Sequence, residues 1–127
     1  MSKSLIGRLM LDLEGMSLSK EENEILLNPH VGGVILFAKN ISSRDQVREL
    51  CGEIKQINPQ LLIAVDQEGG RVQRLKKDYT ILPAMQKLAE FLNADSDKNF
   101  SFATDLGWLM ASGVIASGID LSFAPVL

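Results

Sequence analysis

Residues 61–74, LLIAVDQEGGRVQR, begin with five consecutive apolar residues and continue into a polar segment bent by Gly69 and Gly70. An unbroken apolar run of this length suits a parallel strand covered on both faces, whereas a half-exposed antiparallel strand would alternate. Asp66 then stands directly past the strand. Parallel α/β sheets bind ligands at the carboxyl ends of their strands, so the loop from Asp66 to Arg74 is the expected ligand loop.

Similar signals recur on either side. Strands are predicted over Leu5–Leu13, Val31–Ala38 (VGGVILFA), Leu61–Val65 and Asp120–Ala124, the last closed by Pro125. Helical segments separate them. Ser19 and Glu22 sit at capping-box spacing ahead of a short helix reaching Leu27, and Ser43 and Gln46 repeat that spacing. After Ser43, the residues Val47, Leu50, Cys51, Ile54 and Ile57 share one helical face before Pro59 stops the helix. Pro83 suits the first turn of a segment ending near Leu92, and the polar break NADSDKN precedes a helix from about Phe100 to Ser117. Within that helix Ala103, Gly107 and Ala111 form a small-residue stripe expected to lie against the sheet, and Gly118 fits a left-handed C-cap. Met10, Met110, Trp108 and Phe123 are expected in or near the core.

Strand–helix alternation with short connections begins either a doubly wound sheet or a (β/α)8 barrel. A complete barrel takes roughly 250 residues. The 127 residues therefore read as about half of one, the first four βα units of a single domain that breaks off after SFAPVL. A composition 46% hydrophobic and 23% charged is that of a globular protein, and a net charge of −3 lacks the basic potential that nucleic acid selects. No apolar run is long enough for a membrane span, and Asp12 and Glu14 interrupt any signal-peptide core. With one cysteine, Cys51, an internal disulfide is excluded, and a cytoplasmic location is expected.

The candidate functional residues are those after each strand: Asp12 and Glu14; Lys39 and Asn40; then Asp66, Gln67, Glu68, Arg71 and Arg74. A carboxylate delivered to the rim by a buried strand needs a partner. For Asp66 that partner is either a pair of sugar-like hydroxyls or the guanidinium of Arg71 or Arg74, and the plainer alternative is an internal salt bridge that shapes the loop. Glu68, Gly69, Gly70 and Arg71 are assigned to supporting the loop. Gly69 and Gly70 allow positive φ and either a tight turn or close approach to a ligand, but the phosphate-binding glycine motifs are absent. Magnesium held by Asp12, Glu14, Asp66 and Glu68 is a weaker reading. His30, the single histidine, precedes the second strand and falls at the opposite end of the sheet. No zinc site or other cofactor is expected.

Several pieces, LMLDLEG (9–15), NPHVGGVILFAKN (28–40), AVDQEGGRVQRL (64–75), LPAM (82–85) and GWLMASGVIASGIDLSFAPVL (107–127), resemble the amino-terminal portion of family 3 glycoside hydrolases. The resemblance is to the bacterial β-N-acetylglucosaminidases of that family. It implies a (β/α)8 barrel that removes terminal N-acetylglucosamine with retention, typically from recycled cell-wall fragments. It also implies that Asp66 and Arg74 bind hydroxyls of the sugar in the cleaved subsite. The carboxylate nucleophile and the proton donor that retaining hydrolysis needs would both follow residue 127, so this chain alone is expected to be inactive. The alternative is a non-catalytic half-barrel that binds sugar without turnover or self-associates through its open edges.

Overall fold

The computed structural model describes residues 7–92 and 96–125, with side chains for all of these but 96–99. Leu5 and Ile6 of the first predicted strand, and residues 93–95 of the polar break, lie outside the described residues. In chain order the elements are β1 (Leu9–Leu11), α1 (Lys20–Leu26), β2 (Val31–Leu36), α2 (Arg44–Ile57), β3 (Leu62–Val65), β4 (Gln67–Gly69), β5 (Val72–Gln73), α3 (Met85–Leu92), α4 (Ser96–Ala116) and β6 (Leu121–Ser122).

β1, β2, β3 and β6 form one parallel sheet in that spatial order, and β4 and β5 form a separate antiparallel hairpin. Each strand of the sheet lies beside the strand that precedes it along the chain. The order therefore contains no reversal, and reversal is what defines a doubly wound sheet. The four strands fall where the sequence places them, with shorter ends: β2 stops at Leu36 because residues 38–40 turn into a 3-10 helix.

Alternation along the strands sorts the side chains. Val34 and Leu36 of β2, and Ile63 and Val65 of β3 with the preceding Leu61, join Leu26 of α1, Val47, Leu50, Cys51 and Ile54 of α2, and Val114 of α4 in one core. Each fully buried Leu or Ile here contributes roughly 1.5–3 kcal/mol relative to exposure. The intervening positions point away from the helices. Met10 and Leu62 on that face are 38% and 39% exposed while Ala64 on the same face is buried, so the face is apolar and partly open.

The capping box of α1 is complete: the Ser19 hydroxyl accepts from Glu22 N, and the Glu22 carboxylate accepts from Ser19 N. In α2 only half of it forms. Ser43 accepts from Gln46 N, but the Gln46 side chain turns to Ser42 N and to the carbonyls of Met16 and Asn40. Gly118 adopts φ +83 as the left-handed C-cap, and an added Cβ would lie 2.9 Å from Cys51 Cβ.

α4 departs most from expectation. It starts at Ser96 and takes in part of the polar break, while α3 starts at Met85, two residues after Pro83. Within α4 Val114 is buried, as is Ser117 just past its end, whereas Gly107 and Ala111 are exposed and Ala103 is half-buried beside α3. The small-residue stripe therefore does not face the sheet. Trp108 at 72% exposure, together with Met10 and Phe123, lies outside the core, and Met110 is half-buried. Hydrophobicity alone does not say which face of a helix finds a partner, and α4 is apolar on more than one. Among the described residues, no helix is long and apolar enough to cross a membrane.

Candidate ligand site at the carboxyl end of β3

Asp66 follows β3 on the side of Leu62 and Ala64, facing away from the helices. Its neighbour Gln67 points the other way and is buried. The chain then folds back on itself as the β4–β5 hairpin, with Gln67 opposite Gln73 and Gly69 opposite Val72. Gly69 and Gly70 make the turn at φ +91 and φ +58. The close approach they permit is to the chain itself. Gly70 N donates to Leu82 O at 2.9 Å, and a Cβ on Gly69 would sit 2.2 Å from Pro83 O. The tight-turn reading holds, and LPAM is the segment packed beneath it.

The hairpin returns Arg74 to Asp66. Arg74 Nη2 lies 3.4 Å from Asp66 Oδ2, and the two side chains are 28% and 24% exposed. This is long beside the roughly 2.7–2.9 Å of a well-formed charge-assisted pair. The guanidinium also lies over the Phe37 ring, 5.9 Å from its centroid, and its Nε is buried with no hydrogen-bond partner. The contact has the form of a loop-shaping salt bridge, and it leaves both groups with further hydrogen-bonding capacity among the described residues. Arg71 is exposed and forms no ion pair with Asp66 among the described residues, which decides between the two arginines the sequence offers. Glu68 is half-buried within β4.

Gln67 and Gln73 hold the hairpin in shape. Gln67 Oε1 accepts from Arg74 N at 3.1 Å and Leu75 N at 3.0 Å, and its Nε2 donates to Leu75 O at 3.1 Å. Gln73 Nε2 donates to Leu75 O and Thr80 O, while its Oε1 accepts from Leu82 N. Ser122 Oγ, from β6, accepts from Gln67 N at 3.0 Å. The hairpin and its paired amides are missing from the sequence reading, although Gly-Gly between two short segments is the signal for such a turn.

The remaining strand-end residues make contacts within the chain. Asp12 pairs with Lys39 at 2.7 Å in solvent, and that cation holds its carboxyl below the usual range by hydrogen bond and charge. Asn40 is fully buried: Nδ2 donates to Leu13 O and Gly15 O, and Oδ1 accepts from Phe37 N. Glu14 N donates to the Glu22 carboxylate, and His30 is exposed at the amino end of β2. Among the described residues, no three His, Cys, Asp or Glu side chains gather as metal ligands. A cavity of about 350 Å³ between α2 and α4 is lined by Arg44, Tyr79 and Met110 and touches the hairpin only at Gln67. Arg44 is already committed there, to the Asp78 carbonyl and the Tyr79 ring.

The fold is of the parallel α/β class, with an acid–guanidinium pair at a carboxyl strand end. Comparison with known proteins sharpens it. Residues 6–127 match the glycosyl hydrolase family 3 N terminal domain. A β-hexosaminidase of Pseudomonas aeruginosa is 54% identical over 121 residues, covering 95% of this chain and 35% of that protein. The β-hexosaminidase of Alkalilimnicola ehrlichii is 52% identical over 124 residues, 97% of this chain and 36% of its own length. Among solved structures, NagZ from Neisseria gonorrhoeae in complex with N-trifluoroacetyl-D-glucosamine superposes with a TM-score of 0.91 at 43% identity, covering 95% of this chain and 36% of that one. The chain belongs to glycoside hydrolase family 3. It spans about 35% of the length of the relatives it matches.

Proposed function

We propose that this chain forms the first four βα units of a (β/α)8 barrel in a retaining exo-β-N-acetylglucosaminidase, with Asp66 and Arg74 binding hydroxyls of the terminal sugar. The observation that carries this is the loose Asp66–Arg74 contact at the carboxyl end of β3, where both side chains stay about one-quarter exposed. A polyhydroxylated ligand supplies acceptors to the guanidinium and donors to the carboxylate. The names of the relatives, and the glucosamine derivative bound in the gonococcal structure, point to the same sugar. The unreversed strand order supports the barrel.

In this reading Asp66 and Arg74 grip the sugar. The nucleophile and the proton donor lie outside residues 1–127, and the natural substrate is a cell-wall fragment processed in the cytoplasm. No residue of this chain is assigned to breaking the bond. The test is titration of the chain with N-acetylglucosamine, followed by NMR, together with an assay on an aryl N-acetylglucosaminide. Saturable binding that disappears in Asp66→Ala and in Arg74→Ala, without turnover, is expected. Binding unaffected by both substitutions, or hydrolysis by material free of host enzyme, overturns the reading.

A second reading, self-association of a half-barrel, is favoured by the exposure of Met10 and Leu62 and by β1 and β6 each pairing on one side only among the described residues. Sedimentation distinguishes it: a concentration-independent monomer excludes it.

A further inference from the structure

Gln67 and Gln73 are equally buried amides, 3% and 1% exposed, that face each other across the same hairpin. They hold different things. Gln73 ties the hairpin to the strap beneath it, through Thr80 O and Leu82 N, and shares the Leu75 carbonyl with Gln67, but its side-chain amide makes no hydrogen bond to Arg74. Gln67 grips the backbone at Arg74 itself, through Arg74 N, and brackets the next residue through both Leu75 N and Leu75 O. Gln67 is in turn fixed by β6, since its N donates to Ser122 Oγ. Asp66 is its immediate neighbour in the chain.

One residue thus adjoins Asp66 in the chain and holds the backbone of Arg74 through its side chain. We infer that Gln67 is a positioning residue: it holds Arg74 at its 3.4 Å spacing from Asp66 and over Phe37, so that the guanidinium is preorganised for a ligand rather than collapsed onto the carboxylate. Preorganisation raises affinity by removing the cost of ordering a long side chain at binding. The consequence for ligand affinity rests on the sugar reading above. The geometric claim does not.

The experiment compares Gln67→Met with Gln73→Met, which remove matched buried amides, in ¹⁵N NMR of the full chain. The probe is the Arg74 Nε–H resonance, assigned with Arg74→Lys. Because Nε is shielded from water, its proton exchanges slowly in the starting protein. Gln67→Met shifts that signal or loses it to exchange, and Gln73→Met leaves it in place even where it lowers stability as much. N-acetylglucosamine affinity falls at least ten-fold in the first variant and little in the second. Equal effects of the two variants on the Nε–H signal, or no effect of the first, overturn the inference. Should Gln67→Met not fold, Gln67→Glu retains the oxygen that accepts from Arg74 N and keeps the signal; its loss in folded protein is equally decisive. Absence of sugar binding in the unsubstituted chain refutes the functional reading alone, because the Nε–H contrast still decides the positioning role.

Discussion

Lys55 and Asp120, one at the end of α2 and the other at the entrance to β6, meet at 2.7 Å, and the same Asp120 Oδ2 accepts the Ile63 N–H at 2.7 Å. Asp120 N donates back to Ile63 O at 2.8 Å, so side chain and backbone together extend the β3–β6 ladder below the point where β6 begins. Asp120→Ala leaves the N–H of a fully buried residue without its acceptor and is expected to cost about 1–3 kcal/mol. Lys55→Met removes a pair about one-third exposed and a hydrogen bond to Leu61 O, keeps the acceptor of Ile63 N, and should cost less, about 1 kcal/mol. Urea unfolding of the two variants checks the ranking.

Two glycines give opposite outcomes. Gly69→Ala places a Cβ 2.2 Å from Pro83 O at φ +91, so both backbone and neighbour must move, and a loss above about 2 kcal/mol is expected. Gly107→Ala meets nothing within 4 Å on the exposed side of α4 and should stabilise by about 0.5–1 kcal/mol. Thermal melts of the pair show the sign of each.

Asn40→Ala removes three hydrogen bonds from a fully buried side chain, two to loop carbonyls and one from Phe37 N. A loss of about 2–3 kcal/mol is expected. Since Phe37 underlies Arg74, any sugar binding should weaken too. Asn40→Asp, which keeps the acceptor and loses both donations, should be nearly as destabilising by denaturant titration.

Burial alone would raise the Glu22 carboxyl, but the N–H groups of Ser19 and Glu14 and the Ser19 hydroxyl outweigh it and hold the group below its usual 4.5. A depressed folded value means that the stabilisation is complete above about pH 4.5 and is lost as pH falls through the lower folded value. Glu22→Gln should therefore reduce stability near neutrality and flatten that acid limb. Urea midpoints measured across the acid range test it; an unchanged limb contradicts the assignment.

The Cys51 thiol is pushed up to about 12, first by burial and then by the Asp120 charge. The thiolate is the reactive form. A disulfide reagent near pH 8 should leave the native chain unlabelled over the time in which the urea-unfolded chain reacts completely. Rapid native labelling would show that α2 opens readily.

The sheet was legible because apolar runs such as residues 61–65 mark their strands locally, although one face of the sheet proved partly open. The α1 cap was legible for a similar reason: Ser19 and Glu22 satisfy each other locally. The second cap was not. Gln46 at the same spacing found better acceptors in Met16 O and Asn40 O, brought near only by the fold. α4 misled for want of a local signal, since an all-round apolar helix is silent about orientation and Trp108 faces water. At the candidate site, Asp66 and Arg74 could be named from the sequence. Gln67 could only be seen as polar, because its partners are backbone atoms seven and eight residues ahead that the hairpin alone brings back.

The alternation along β3 has a consequence for variation. Ile63, Val65 and Gln67 are committed to the interior, whereas Leu62 and Asp66, interleaved with them, face a side with no helix. On the proposed sugar reading, substitutions at these two positions are expected to alter ligand recognition more than the cohesion of the fold. Selection, or a designer, can explore new specificities on one side of a single strand without first securing extra stability on the other.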